Sequence, residues 1–84
     1  MRKSLHSKDH ETLIALLREF REDAGLTQVE LAKRLGEAQS LVSKCEIGER
    51  RLDVLELRQW CQALGIDLDD FVKALQKRLP RKQP

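Results

Sequence analysis

Residues 25 to 48 read Gly-Leu-Thr-Gln-Val-Glu-Leu-Ala-Lys-Arg-Leu-Gly-Glu-Ala-Gln-Ser-Leu-Val-Ser-Lys-Cys-Glu-Ile-Gly. Thr27 fits an N-cap, its hydroxyl accepting from a free amide of the turn that follows. Glu30, three residues on, completes a capping box. The first helix is predicted to run to about Leu35, with Leu31, Ala32 and Leu35 on one face. Gly36 can take the left-handed conformation that ends a helix and redirects the chain. A second helix is predicted over roughly Ala38 to Glu46. Val42 and Cys45 should face inward, Leu41 beside them, with Gln39, Ser40, Ser43 and Lys44 outward. Gly48 should stop it. Two short helices about a glycine turn fit a helix-turn-helix.

The apolar pattern alone also fits an ordinary pair of core helices. The outward face argues for more. Solvated helices favour Glu, Lys and Arg, whereas Gln39, Ser40 and Ser43 are short or flexible donor-acceptor groups. A glutamine amide can bond adenine bidentately in the major groove.

Flanking segments read as scaffold. A first helix is expected from Asp9 or His10 to just before Gly25, with Leu13, Leu16, Leu17 and Phe20 as its apolar stripe and Ile14 to the side. Asp53 and Glu56 repeat the capping-box pattern and open a helix carrying Leu57, Trp60, Cys61 and Leu64 to Gly65. Trp60 reads as a core anchor rather than a base-stacking ring. Asp67 can cap a last helix, with Asp69 and Asp70 favourable in its first turn and Leu68, Phe71, Val72 and Leu75 as its stripe. Leu79 extends that stripe before Pro80 ends it.

The chain has 84 residues, enough for one domain. It should bury roughly 60–65% of its unfolded surface, a modest core. No stretch approaches the ~20 apolar residues of a membrane helix, and no apolar leader follows the start. A cytoplasmic, soluble protein is expected, with no membrane contact. Cys45 and Cys61 read as reduced core residues. His6 and His10 have a metal-compatible spacing but no third ligand, and read as exposed residues. No metal or cofactor is implied. The net charge is only +2, but its distribution matters. Residues 1–8 and 73–84 are basic with no acid, which suits either phosphate contacts or solubilising ends. Segment 1–8 is expected to be flexible and 80–84 disordered, leaving 9–79 as the domain.

Four strings carry a resemblance. They are Leu-Arg-Glu-Phe-Arg-Glu-Asp-Ala-Gly-Leu-Thr-Gln (17–28), Glu-Leu-Ala-Lys-Arg-Leu-Gly (30–36), Gln-Ser-Leu-Val-Ser-Lys-Cys-Glu-Ile-Gly-Glu-Arg (39–50) and Ala-Leu-Gly-Ile-Asp-Leu-Asp-Asp-Phe (63–71). In this order, Leu17 to Phe71 resembles the helix-turn-helix domain of the Cro and lambdoid phage repressor superfamily, the XRE family. The resemblance implies an all-α, lambda-repressor-like bundle of about five helices. It also implies sequence-specific binding of double-stranded operator DNA, usually as a homodimer. The family commonly places its dimer contact on the last helix and the loop before it.

By that alignment Gln28 opens the first helix of the motif, where its side chain and nearby amides would hold a phosphate. Ala38, Gln39, Ser40 and Lys44 fall at base-reading positions, with Gln39 the leading candidate. Ser43, Arg50 and Arg51 fall where the family contacts the DNA backbone. Arg21 is paired with Glu46. The chain departs from the family at Ala38, where a Ser or Thr cap is usual. Glu37 and Glu49 add acids beside the expected face, and Ile47 replaces a polar residue. Leu41 would meet a thymine methyl or pack inward.

The expectation is therefore a transcriptional regulator, of the repressor kind, with the helix at 38–46 in the major groove. The chain offers no separate effector domain, so control by concentration, a partner or promoter overlap is expected. The rival is an antitoxin or adaptor of the same fold that acts through a toxin or other protein partner. An enzyme is not expected, because no Ser/His/Asp, Cys/His or metal-ligand set converges.

Overall fold

The computed structural model describes residues 7–80. Five helices follow in order, α1 (Lys8–Asp23), α2 (Gln28–Leu35), α3 (Gln39–Glu46), α4 (Val54–Leu64) and α5 (Leu68–Arg78). There is no strand among the described residues. α2 packs on α3 and α4, α1 on α3 and α5, and α4 on α5. The expected all-α, lambda-repressor-like arrangement of five helices is what the chain adopts.

Local chemistry sets the helix ends. Thr27 and Asp53 each close a full capping box, with Glu30 and Glu56 returning the bond to the cap amide. Gly36 ends α2 at φ 70°, in the left-handed region, and Glu37 N–H then reaches back to the Ala32 carbonyl at 2.9 Å. This is a Schellman closure, and an L-residue at position 36 would adopt its φ only with strain. Leu79 is extended, as a residue before proline must be, and α5 stops there.

α1 begins a residue earlier than expected. Ser7 is its N-cap, its hydroxyl accepting from the His10 amide at 3.1 Å. Ser7 and Lys8 thus belong to the cap and first turn of α1, while the basic residues of 1–6 and 81–84 lie outside the described residues. His10 is buried, not exposed. It stands one turn before Leu13 and one heptad before Leu17, so it extends the inward stripe of α1 by one turn. The Asp67 side chain makes no capping bond, although Asp67 does occupy the N-cap position of α5.

The core comprises Leu16, Leu17, Leu31, Ala32, Val42, Cys45, Trp60, Cys61, Leu64 and Phe71, with Leu13, Phe20, Leu41, Leu57, Leu68 and Leu75 packed against it. Trp60 and Phe71 are its largest buried side chains. The Phe20 and Phe71 rings meet at 5.5 Å and 46°, joining α1 to α5, an arrangement favoured by the ring quadrupoles. Both cysteines are buried and unpaired by a disulfide. The apolar stripe of α5 is spent largely on this core, and only Val72 stays exposed. Arg78 closes the bundle with two bonds of 2.8 Å to Glu19 of α1.

Candidate nucleic-acid interface

α3 divides sharply by face. Val42, Cys45 and Glu46 are buried, while Gln39, Ser40 and Lys44 are exposed and Ser43 is half-buried. The apolar pair anchors the helix on α2, so the polar side chains project from a rigid element. Ala38 is the N-cap and supplies no side-chain bond. An uncapped start of this kind costs about 1 kcal/mol. Leu41 is half-buried against the core, which decides between its two expected placements in favour of packing.

Behind α3 lies an ordered chain of polar contacts. Arg21 Nε and Nη2 donate to the two carboxylate oxygens of Glu46 at 2.7 and 3.0 Å. Arg21 Nη1 also donates to the Leu26 carbonyl at 2.8 Å. The Glu46 hydrogen bond raises the Arg21 pKa above its ordinary value, against the opposing effect of burial. Gln28 Nε2 donates to Glu46 Oε1 at 2.9 Å. Gln39 Nε2 then donates to Gln28 Oε1 at 3.2 Å. The buried pair thus ties α1 to α3, and through Gln28 it reaches an exposed side chain at the head of α3.

This placement changes what Gln28 can offer. Its carbonyl and one amide proton are engaged within the protein, so its side chain is a brace first. Phosphate contact at this end of α2 falls to its second amide proton and to the other backbone N–H groups of the first turn, which a helix leaves without intrahelical partners. The Glu30 amide of the same first turn is taken by the Thr27 hydroxyl at 3.1 Å.

The loop from Ile47 to Asp53 carries Arg50 and Arg51. Arg50 Nη2 meets Glu56 Oε2 at 2.7 Å, and Arg50 Nη1 donates to the Arg51 carbonyl at 2.9 Å. The Arg50 hydrogen bond is the main cause holding the Glu56 carboxyl below the usual glutamate value, with the Asp53 amide second. Glu56 therefore caps α4 and fixes the loop together. Arg50, read from sequence as a phosphate contact, has internal partners, and its first role is to shape the loop. Arg51 is exposed, as are Glu37, Ile47 and Glu49.

Sequence reading missed the Glu56 contact. The only signal was an arginine six residues before the capping glutamate. It also gave no hint of the Gln28–Gln39 bond, since residues 11 apart are paired by the fold and by no local period. Among the described residues, no cluster of three or more His, Cys, Asp or Glu side chains could hold a metal. No described helix is long and apolar enough to cross a membrane.

Two short helices at a glycine turn, the second presenting a polar face from an apolar seat, define the helix-turn-helix class. The comparisons with known proteins agree. The helix-turn-helix family profile matches residues 17–71, well over half of the chain. An XRE-family-like protein from Pseudomonas syringae pv. tomato str. DC3000 is 45% identical, with a TM-score of 0.81 over 89% of this chain and 92% of that one. The clp gene regulator ClgR from Corynebacterium glutamicum is 31% identical, with a TM-score of 0.74 over 84% of this chain and 76% of that one. The restriction-modification controller protein C.Esp1396I shares the fold at 22% identity, with a TM-score of 0.79 over 86% and 95% of the two chains. No curated protein sequence matches the chain. The chain belongs to the XRE-type helix-turn-helix family of DNA-binding regulators.

Proposed function

We propose that the protein is a cytoplasmic transcriptional repressor that lays α3 in the major groove of an operator. The observation that carries this reading is the division of α3, whose exposed face of Gln39, Ser40 and Lys44 is held by buried Val42, Cys45 and Glu46. Gln39 is the principal base reader, with Ala38, Ser40 and Lys44 alongside it. Ser43, Arg51 and the first turn of α2 at Gln28 contact phosphates, and Arg50 sets the loop that carries Arg51. The active species is a homodimer, whose two α3 helices stand ~34 Å apart and read a near-palindrome.

Selection of bound duplexes from a random pool tests the reading. An enriched, near-palindromic site is expected, bound far more tightly than random duplex at the same salt. Equal binding to selected and random duplexes would overturn it. A second reading is favoured by Ile47, Val54 and Leu55, which are 56%, 64% and 69% exposed around the end of α3 and the start of α4. In that reading the domain is an antitoxin or adaptor that acts mainly through a protein partner met at this apolar area. An antitoxin would usually enrich a duplex too, so loss of partner binding in Leu55→Lys is the measurement that favours it.

A further inference from the structure

We propose that Ile47 is a further specificity-determining residue, and that it selects a thymine through the C5-methyl group of that base. The inference rests on α3 lying in the major groove. It follows from where Ile47 stands on the helix, how it is held, and what the groove can offer an apolar side chain.

Ile47 is the C-cap of α3, and its N–H still makes the helical bond to the Ser43 carbonyl at 3.0 Å. It therefore keeps the register of the helix, three residues beyond Lys44 and seven beyond Ser40. Residues at these spacings share one face. That face points away from buried Val42, Cys45 and Glu46, so Ile47 ends the same outward stripe that Ser40 and Lys44 begin. The stripe changes chemistry along its length, from a hydroxyl to an ammonium to a branched hydrocarbon that is 56% exposed.

The helix end holds this side chain in place. Gly48, buried at φ 85°, turns the chain. Its N–H bonds the Cys45 carbonyl at 3.2 Å, and the Glu49 N–H bonds the Lys44 carbonyl at 2.9 Å. Branching at Cβ restricts Ile47 further at χ1. The family resemblance assigns this position to a phosphate contact by a polar side chain. Isoleucine has no donor or acceptor to give a phosphate.

The base edges in the major groove are donors and acceptors with one apolar exception, the thymine C5-methyl. Ile47 gains by covering that methyl and gains nothing from cytosine, which lacks it. From Gln39 to Ile47 the helix rises about 12 Å at 1.5 Å per residue. That is about three to four base pairs at ~3.4 Å each, which sets the distance between the thymine and the base that Gln39 reads.

The test uses the full chain and the duplex enriched from a random pool. Each thymine of one half-site is replaced in turn by uracil, which removes the methyl and keeps the pairing. Wild type, Ile47→Ala and Ile47→Asn are titrated with every duplex, after far-UV circular dichroism shows that each is folded. At one thymine, uracil should weaken wild-type binding about three- to sixfold, the worth of one methyl group taken out of water. Both variants should bind thymine and uracil equally there. Pool selection with Ile47→Ala should lose the thymine preference at that position and at no other. Ile47→Asn, which carries a polar side chain, serves if the alanine variant does not fold. If wild type enriches no duplex, the groove reading fails and the proposal falls with it. If a duplex is enriched but uracil costs nothing at any thymine, or costs the three proteins the same, α3 reads the groove without Ile47 and the proposal alone is overturned. It is overturned too if Ile47→Ala weakens selected and random duplexes alike, which would set Ile47 against the DNA backbone. A variant that changes only the mass of the free protein, with the uracil effect intact, would assign Ile47 to a protein interface and overturn it as well.

Discussion

Removing Glu46 should be among the most damaging single changes in this protein. The Glu46 side chain is 2% exposed and its Arg21 partner 9%, so neither charge can be rescued by water without local opening. Glu46→Ala leaves the Arg21 guanidinium with the Leu26 carbonyl as its remaining bond of those described above. It also removes the acceptor of the Gln28 amide. Breaking a buried pair from one side costs about 3–5 kcal/mol. A domain of this size has roughly 4–13 kcal/mol in total, so the variant should be close to unfolding at 37 °C. For so small a domain about 1 kcal/mol shifts Tm by some 4–8 °C, which puts the expected fall at about 12–40 °C. Replacing both partners, as Arg21→Met with Glu46→Met, removes the stranded charge and should recover most of the loss. Urea unfolding followed by circular dichroism and by Trp60 fluorescence would measure all three proteins. Loss of under about 1 kcal/mol in Glu46→Ala would refute the claim that the pair is buried and coupled. A double variant as unstable as the single one would show that the damage lies in packing rather than in charge.

Four further outcomes are expected. Gly36→Ala should cost about 1–2 kcal/mol through φ alone, because a Cβ there would meet nothing within 4 Å; an unchanged Tm would contradict the left-handed closure of α2. Glu19, Glu30 and Glu56 are all held below the ordinary glutamate value of 4.5, by Arg78, by the Thr27 cap and by Arg50 respectively. Depressed carboxyls stabilise the fold above that value and lose their contribution as pH falls through and below it, so the urea midpoint should drop between pH 7 and pH 3, and by less in Glu56→Gln than in wild type. Arg51→Ala should lower the slope of log binding constant against log salt by about 0.9, whereas Arg50→Ala should lower thermal stability and move that slope less; the reverse order would return the phosphate role to Arg50. Iodide should quench Trp60 poorly, since it is 2% exposed, and ready quenching would deny it a place in the core.

What could be read in advance follows the range of the interactions. Both capping boxes and the glycine turn span three or four residues, and sequence displays such patterns directly. The apolar stripes of α2, α3 and α4 were equally legible, because one period governs them. Errors came where a stripe met a polar residue. His10 continues the buried face of α1, although its spacing to His6 without a third ligand reads as exposed, and the apolar Val72 sits at the flank of the α5 stripe rather than within it. Contacts between distant residues had no local signature. The Arg78–Glu19 pair joins positions 59 apart and went unread, and Arg21–Glu46 was reached only through family resemblance. The exposed face of α3 was legible as chemistry, but the bracing of Gln39 from behind was not.

The two buried thiols give the fold a clock. Cys45 in α3 is 1% exposed and Cys61 in α4 is wholly covered, and burial pushes the Cys61 pKa up to about 11. A disulfide reagent reacts with thiolate it can touch, so in the native state it must wait for a helix to leave its seat. The labelling rate of each cysteine then counts openings of its own helix. Variants with one cysteine replaced by alanine would separate the two counts, and show whether the DNA-facing helix lifts alone or only when the whole bundle comes apart.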